Sequence, residues 1–540
     1  GGSRYQADIS IRGGIFEGTG LMVGGLALFD PQTGHYFSEI PLDPVFFSGA
    51  RLLTGVNNAL YGFNATAGSI DWEWAGIREG GGLGLALGTD RMWGFSAYQG
   101  GALAGDGGWQ MAVQRESGDG SVKNGDFDLK RISARFEWQA GPGVLRIFGG
   151  FVDKFYGWPG MYTGIAALNE TDAYTVGLAG FQWERRMERG HHRIGGYWRQ
   201  LDNDYEFNRE NPNRLFEHLT EVWSLQGDGL MEAGTLDIAY RWALLRDRVI
   251  RSTSLVHGQF NERDYAEGAF RVERRQETKA GELTPYAGFG IDTTNEEATV
   301  LLPLAGLRLS GATEAGSWQV YSAYSQASQV PGYTVLNSAP EGLFGGNSEL
   351  GREKAETLEA GVQLERGPLS ARAVFFRRED TDLVDWVFEQ GSPSAREASA
   401  MDSTVDGVEA GLRWDGESLE LELGYSYLDK EQDYADAGGD ASFYALNYAR
   451  PRLLATVEWF PLEGLALRLE GEWREQRENP LRTGPDTLSQ LNLGARWEDA
   501  MGSGWDLLVR VDNLNKVDFQ RIPGTPGPGR EAQVMFRRLW

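Results

Sequence analysis

The chain has 540 residues, no cysteine and a formal net charge of -26. That charge excludes a nucleic-acid partner held by a basic face, and the absence of cysteine excludes a disulfide scaffold and thiol catalysis. No apolar run reaches the roughly 18 residues of a membrane-spanning helix, a criterion blind to strands. In chain order, residues 8–70 come first: short apolar stretches such as Leu21-Met22-Val23, cut by glycine turns at Gly13-Gly14 and Gly24-Gly25. This reads as a small α/β segment. It is too short and too glycine-rich to hold a large core alone, so something must enclose it.

From about Gly80 onward one theme repeats: a run of alternating residues, a turn, then another such run. Leu83, Leu85 and Leu87 alternate with Gly84, Ala86 and Gly88. Leu465, Leu467, Leu469 and Trp473 alternate with Arg468, Glu470, Glu472 and Arg474. Period two puts each set on opposite faces of a strand. Short turns at Ala140-Gly141-Pro142-Gly143, Arg366-Gly367-Pro368 and Asp415-Gly416-Glu417 interleave with long polar segments near 153–171, 205–216, 247–262, 326–354, 379–402 and 429–446. Short turns at one end and long loops at the other predict an outer-membrane barrel of about 22 strands. The 18 Trp, 20 Tyr and 26 Phe supply interfacial girdles. A lumen of that width needs filling, which suits the opening segment.

Several motifs then fall in one family's order. They are Ile11-Arg12-Gly13, Val23-Gly24-Gly25, Asp30-Pro31-Gln32-Thr33-Gly34-His35 and Ala59-Leu60-Tyr61-Gly62 in the first segment. Later come Glu356-Thr357-Leu358-Glu359, Asp406-Gly407-Val408-Glu409, Val511-Asp512-Asn513-Leu514 and a final strand ending on Trp540. Together they resemble TonB-dependent outer-membrane receptors across nearly the whole chain. The resemblance implies an all-β fold: a transmembrane antiparallel β-barrel with a partial α/β plug domain in its lumen. The plug would be residues 1–77 and the barrel 78–540. The family's plug normally has a further half before the Ile-Arg-Gly motif and a TonB-contacting segment before that; neither is in this sequence, and Gly1 reads as a mature or trimmed start.

The same resemblance pairs Arg12 with two barrel carboxylates, at Glu359 and Glu409. A buried arginine needs such partners, and the three would latch plug to wall. Where the family has Val-Asp-Gly, this chain has Val23-Gly24-Gly25, and its last plug strand ends Ile70-Asp71-Trp72-Glu73-Trp74. Ligand contact is expected at two plug apices, one at Ile15, Phe16 and Glu17, the other at His35, Tyr36 and Phe37. Aromatic rings there suit a flat or amphipathic ligand. A loop carrying Asp429, Glu431, Asp433 and Asp436 has the oxygen chemistry for calcium. Catalytic motifs are missing: the five His form no His-Glu-x-x-His pair, and there is no Gly-x-Ser-x-Gly elbow or Walker loop.

The functional expectation is a receptor for active uptake of a scarce nutrient, a cobalamin, a metal chelate or similar, with the Tyr197-Trp198-Arg199-Gln200 segment most like receptors of the cobalamin type. Expected partners are outer-membrane lipid and lipopolysaccharide, the TonB complex and a small-molecule nutrient. The alternative is a structural barrel that has lost transport and binds a surface lipoprotein or other outer-membrane subunits.

Overall fold

The computed structural model describes residues 4–34, 39–212, 215–393, 395–434, 437–500, 502 and 504–540. The wall is a closed barrel of 22 antiparallel strands. Two short pieces, Gln276–Thr278 and Ala441–Ser442, extend it. The first wall strand, Gly80–Gly88, pairs with the last, Glu531–Leu539, from Gly82 on Leu539 to Gly88 on Gln533. Closure leaves no edge along the wall. At one end the hairpins are tight: Ala140 pairs with Gly143 and Arg366 with Leu369. Gly141 and Gly367, with φ of 61° and 55°, adopt the positive φ that matches such turns to strand twist.

Alternation places the side chains as expected. On the strand Leu465–Gln476, Leu469 and Trp473 face outward and are exposed, while Arg474 and Gln476 face the lumen and are buried. On the last strand Phe536 is outward and exposed. Arg538 lies opposite Trp505 on the neighbouring strand, with its guanidinium 6.0 Å from the indole ring.

The long polar segments correct the sequence-based expectation in one respect. Much of 379–402 is strand, as Leu369–Phe388 and Glu397–Asp415. The strand Leu419–Asp433 likewise runs into the expected loop. Apolar alternation stops there, but the ladder continues, held on its outer face by ion pairs. Lys130 meets Asp153 at 3.0 Å, Arg377 meets Asp406 at 3.2 Å and Arg450 meets Asp429 at 3.3 Å. A strand with two polar faces has no hydrophobic period to read.

Inside lies a four-stranded sheet of order β2-β1-β4-β3: β1 Thr19–Val23, β2 Leu26–Leu28, β3 Phe47–Leu53 and β4 Gly68–Trp74. Helix α1, Gly55–Tyr61, joins β3 to β4. β1 lies parallel to β4 and is buried at all five positions. Leu21, Val23, Leu26 and Leu28 pack with Phe148, Leu178, Tyr197, Val222 and Leu245 of the wall. The core is therefore the seam between the sheet and one side of the barrel. The opposite side stays wet: Arg413 and Arg468 face the lumen with side chains 56% and 44% exposed.

Leu469 sits mid-strand on the outward face. Leu469→Lys is expected to cost about 2–4 kcal/mol in lipid. Gln363→Lys, at an exposed lumen-side position, should shift stability by less than about 0.5 kcal/mol. Urea titration of both variants in liposomes checks the contrast; equal costs would place Leu469 out of the apolar band.

Candidate functional site

The site begins at a tight turn. Gly14 N donates to Ile11 O at 2.9 Å, with φ of 51° at Arg12 and 71° at Gly13. From this turn the Arg12 side chain reaches the wall. Its Nη1 donates to Glu359 at 2.8 Å, and its Nε and Nη2 donate to Glu409 at 3.2 and 3.0 Å. The guanidinium lies 4.4 Å from the Phe376 ring. Glu359 pairs in register with Phe376, and Val374, two residues before Phe376, pairs with Glu409. Three adjacent strands thus present one pocket for one cation. The Arg12 and Glu359 side chains are 5% and 8% exposed, and Glu409 is 33% exposed. Gly55 stands over Glu359: its φ is +51°, and a Cβ there would come within 2.6 Å of the carboxylate. Only glycine serves both demands.

The β1–β2 turn is the second attachment. Gly25 N donates to Asp71 at 2.9 Å, so Asp71 of β4 braces the turn. A side chain at Gly24 would overlap the Trp74 indole. Gly24 and Gly25 are thus coupled to Asp71 and Trp74 through this turn. The wall grips this end through side chains. Gln226 donates to Ala27 O at 2.7 Å and accepts from Ala27 N at 3.0 Å, and Gln182 and Arg193 both donate to Gly24 O. Such barrel-wall amides carry no motif, and sequence analysis missed them.

The first expected apex is covered. Ile15 and Phe16 are buried, and the Phe16 ring meets Tyr444 edge-on at 4.8 Å. The covering loops share an apolar cluster that includes Leu336, Trp386, Phe388 and Phe443. Arg396, stacked 4.1 Å from Phe443, donates to Thr163 O at 2.6 Å across the mouth. Thr525 donates to Gly160 O at 2.7 Å and Trp158 to Pro526 O at 2.9 Å. The long-loop end is thus sealed by a lid. His35, Tyr36 and Phe37, the second apex, lie outside the described residues, as does Asp436. Asp429, Glu431 and Asp433 sit at alternate outward positions of one strand, where i and i+4 carboxylates are about 13 Å apart at Cα. They do not converge on a cation. Among the described residues no group of three or more His, Asp or Glu side chains could hold a metal ion.

Under the lid, carboxylates gather. Glu17 is driven well above the usual carboxylate range by burial, then by Glu353, Asp385 and Asp8. Glu353 lies beyond the last outward apolar residue of its strand, Leu358, and so outside the apolar band. Burial pushes Glu353 up to about 8; donors Gln329 and the Val384 amide oppose this, while Asp380 and Asp385 add to it. Burial pushes Asp385 up to about 6 despite the amides of Ala445, Trp386 and Tyr444 and the nearby Lys430. Protonation relieves the repulsion among these groups.

Removing one partner of a buried pair leaves an uncompensated charge. Glu359→Gln is expected to weaken sheet docking by about 3 kcal/mol. Glu409→Gln should cost less, because water already reaches Glu409. Hydrogen exchange of β1 and β4 amides reads the difference, and an equal or reversed order would refute it. The pH dependence follows from raised folded-state values. The folded protein binds more protons than the unfolded chain, so this contribution is complete below about pH 4 and is lost as pH rises toward 8. Wild-type thermal stability should fall between about pH 4 and pH 8, and Glu353→Gln should flatten that slope. Parallel slopes would remove Glu353 from the account.

Comparison with known proteins agrees with this architecture. Residues 53–514 match the family model described as TonB dependent receptor-like, beta-barrel. The siderophore receptor PirA from Acinetobacter baumannii has a TM-score of 0.79 at 12% identity, with 99% of this chain and 92% of that one covered. The copper transporter OprC has a TM-score of 0.77 at 13% identity, covering 100% and 93%. The FrpB iron transporter from Neisseria meningitidis has a TM-score of 0.75 at 12% identity, covering 100% and 95%. At these identities the neighbours establish the fold alone. The family match establishes membership: the chain belongs to the TonB-dependent receptor β-barrel family of the Gram-negative outer membrane.

Proposed function

We propose that the protein is an energy-coupled uptake receptor that takes a scarce nutrient from outside the cell. The observation that carries this reading is the paired Arg12 between Glu359 and Glu409. A sheet needed only as a stopper is best held by apolar packing. A buried ion pair adds little net stability but is lost sharply when one partner moves. That suits a latch released by force from the TonB complex on the periplasmic side. The residues 1–77 then act as a plug and 78–540 as the conduit. The ion pairs beyond the apolar band would face lipopolysaccharide headgroups.

For the substrate, a metal chelate comes first and a cobalamin second. Three fold neighbours are described as siderophore, copper and iron proteins. The sequence segments suggesting a cobalamin-type receptor are a narrower likeness. A second reading is a partner-binding structural barrel. It is favoured by the sealed lid and the buried Phe16, which leave the first apex covered.

Tryptophan fluorescence of the purified protein, titrated with ferric siderophores, copper and cobalamins, separates the readings. Uptake predicts saturable quenching by one class and poor growth of a deletion strain when that nutrient is limiting. If every titration is flat and the deletion strain grows normally under each limitation, the uptake reading fails and the structural one stands.

A further inference from the structure

On the wet wall, away from the inserted sheet, arginine outnumbers its counter-ions at one place. Arg452 and Arg474 lie directly opposite each other on neighbouring strands, both facing the lumen. Like charges in that register repel. Arg521, from the connection before the last strand, reaches the same spot. All three converge on one carboxylate. Glu472 accepts from Arg452 and from Arg521, each at 2.9 Å, and lies 3.7 Å from Arg474. Elsewhere on this wall Arg413, Arg468, Arg510 and Arg537 each have a carboxylate within 3.1 Å.

Arg474 is the least satisfied member. It is 9% exposed, and its Nε and Nη2 have no hydrogen-bond partner among the described residues. One face of its guanidinium is covered by Phe519, at 4.8 Å from the ring centroid. Buried N–H groups without acceptors are expensive. Arg452 and Arg521 keep 40% of their side chains exposed, so the cluster opens to the lumen. Asn447 donates to Arg521 O at 3.0 Å, which ties the loop carrying Arg521 to the lid.

We propose that Arg452, Arg474 and Arg521 form a binding site for a multivalent oxyanion, a solute carrying carboxylate or phosphate groups. Planar guanidinium groups bind both bidentately. The ligand contacts the exposed Arg452 and Arg521 side chains and balances the charge, Arg474 included, that Glu472 alone does not. The site is separate from the sheet and its latch. It places an anion on the lumen side of the lid, at the top of a polar wall that continues through Arg510 and Glu470 to Arg468 and Glu458.

The test is calorimetric titration of the full chain in detergent with citrate and with inorganic phosphate, at constant ionic strength in chloride. Saturable binding is expected for at least one. Arg521→Gln should weaken it about ten-fold or more, and Arg521→Lys should recover part of the loss. Glu472→Gln should tighten it, because it removes the competing carboxylate. Heat-modifiable migration on gels checks that each variant is folded. Citrate binding alone assigns carboxylate solutes, and phosphate binding alone assigns phosphorylated ones. Heats no larger than a chloride control for both anions, or affinities unchanged in both Arg521→Gln and Glu472→Gln, would overturn the proposal.

Discussion

A closed wall of 22 strands encloses more space than its own inward side chains can fill. Everything else in the molecule answers that constraint. The chain fills part of the space with a sheet whose central strand, β1, is buried at every position. Five buried residues in a row cannot be satisfied by the sheet itself, which is four strands wide. The apolar members of β1, Leu21, Met22 and Val23, are satisfied by Phe148, Leu178, Tyr197, Val222 and Leu245, which are wall residues. Neither part has a complete core without the other. The sheet is therefore held by apolar area that is non-directional, and then positioned by polar contacts that are directional: Gln226 on Ala27, Arg193 on Gly24, Arg12 on Glu359.

Filling one side leaves the other wet, and the two sides differ in kind. Against the sheet the wall presents an apolar cluster, with a few polar side chains such as Gln182, Arg193 and Gln226 bonded to the sheet's backbone. Across the lumen they are Arg and Glu in cross-strand pairs, such as Arg468 with Glu458 and Arg510 with Glu470. Exposed pairs of this sort contribute little stability. Their effect is to keep a hydrated surface close to neutral. Against that background an arginine excess around Glu472 stands out as a site.

The barrel was legible because lipid imposes a strict period of two and because turn lengths alternate. Leu465, Leu467, Leu469 and Trp473 could be placed on one face from sequence alone. The outer ends of the strands were not legible, since beyond the apolar band both faces are polar, as at Arg377 outside and Arg378 inside. The Arg12 contacts span 347 and 397 residues. No local pattern encodes such a distance, and only likeness to a family suggested the partners. Arg452 and Arg474 were each readable as lumen residues. Their juxtaposition depends on a register containing an irregularity between Ala449 and Arg452, which periodicity cannot supply. The carboxylates Glu17, Glu353 and Asp385 were hidden for a related reason. They come from three separate segments, and in so acidic a chain no single one is informative.

The lid and the sheet are held by different physics, and this bears on how the protein could open. The lid is closed by apolar contacts among Leu336, Trp386, Phe388 and Phe443, with Arg396 donating across to Thr163. Apolar closure weakens gradually and tolerates small shifts. The sheet is positioned by a buried ion pair, which holds only at contact distance. A ligand arriving from outside can replace apolar lid contacts with its own surface at little cost. It cannot easily supply both carboxylates that Arg12 would lose. On the uptake reading proposed above, separating Arg12 from its carboxylates is better driven by work applied from the opposite side than by binding energy at the lid. Phe16 and Glu17 lie between the two, on the same short segment as Arg12 and in contact with the lid through Tyr444. Movement of that segment is a short route by which a change at the lid reaches Arg12 through covalent structure rather than through the wall.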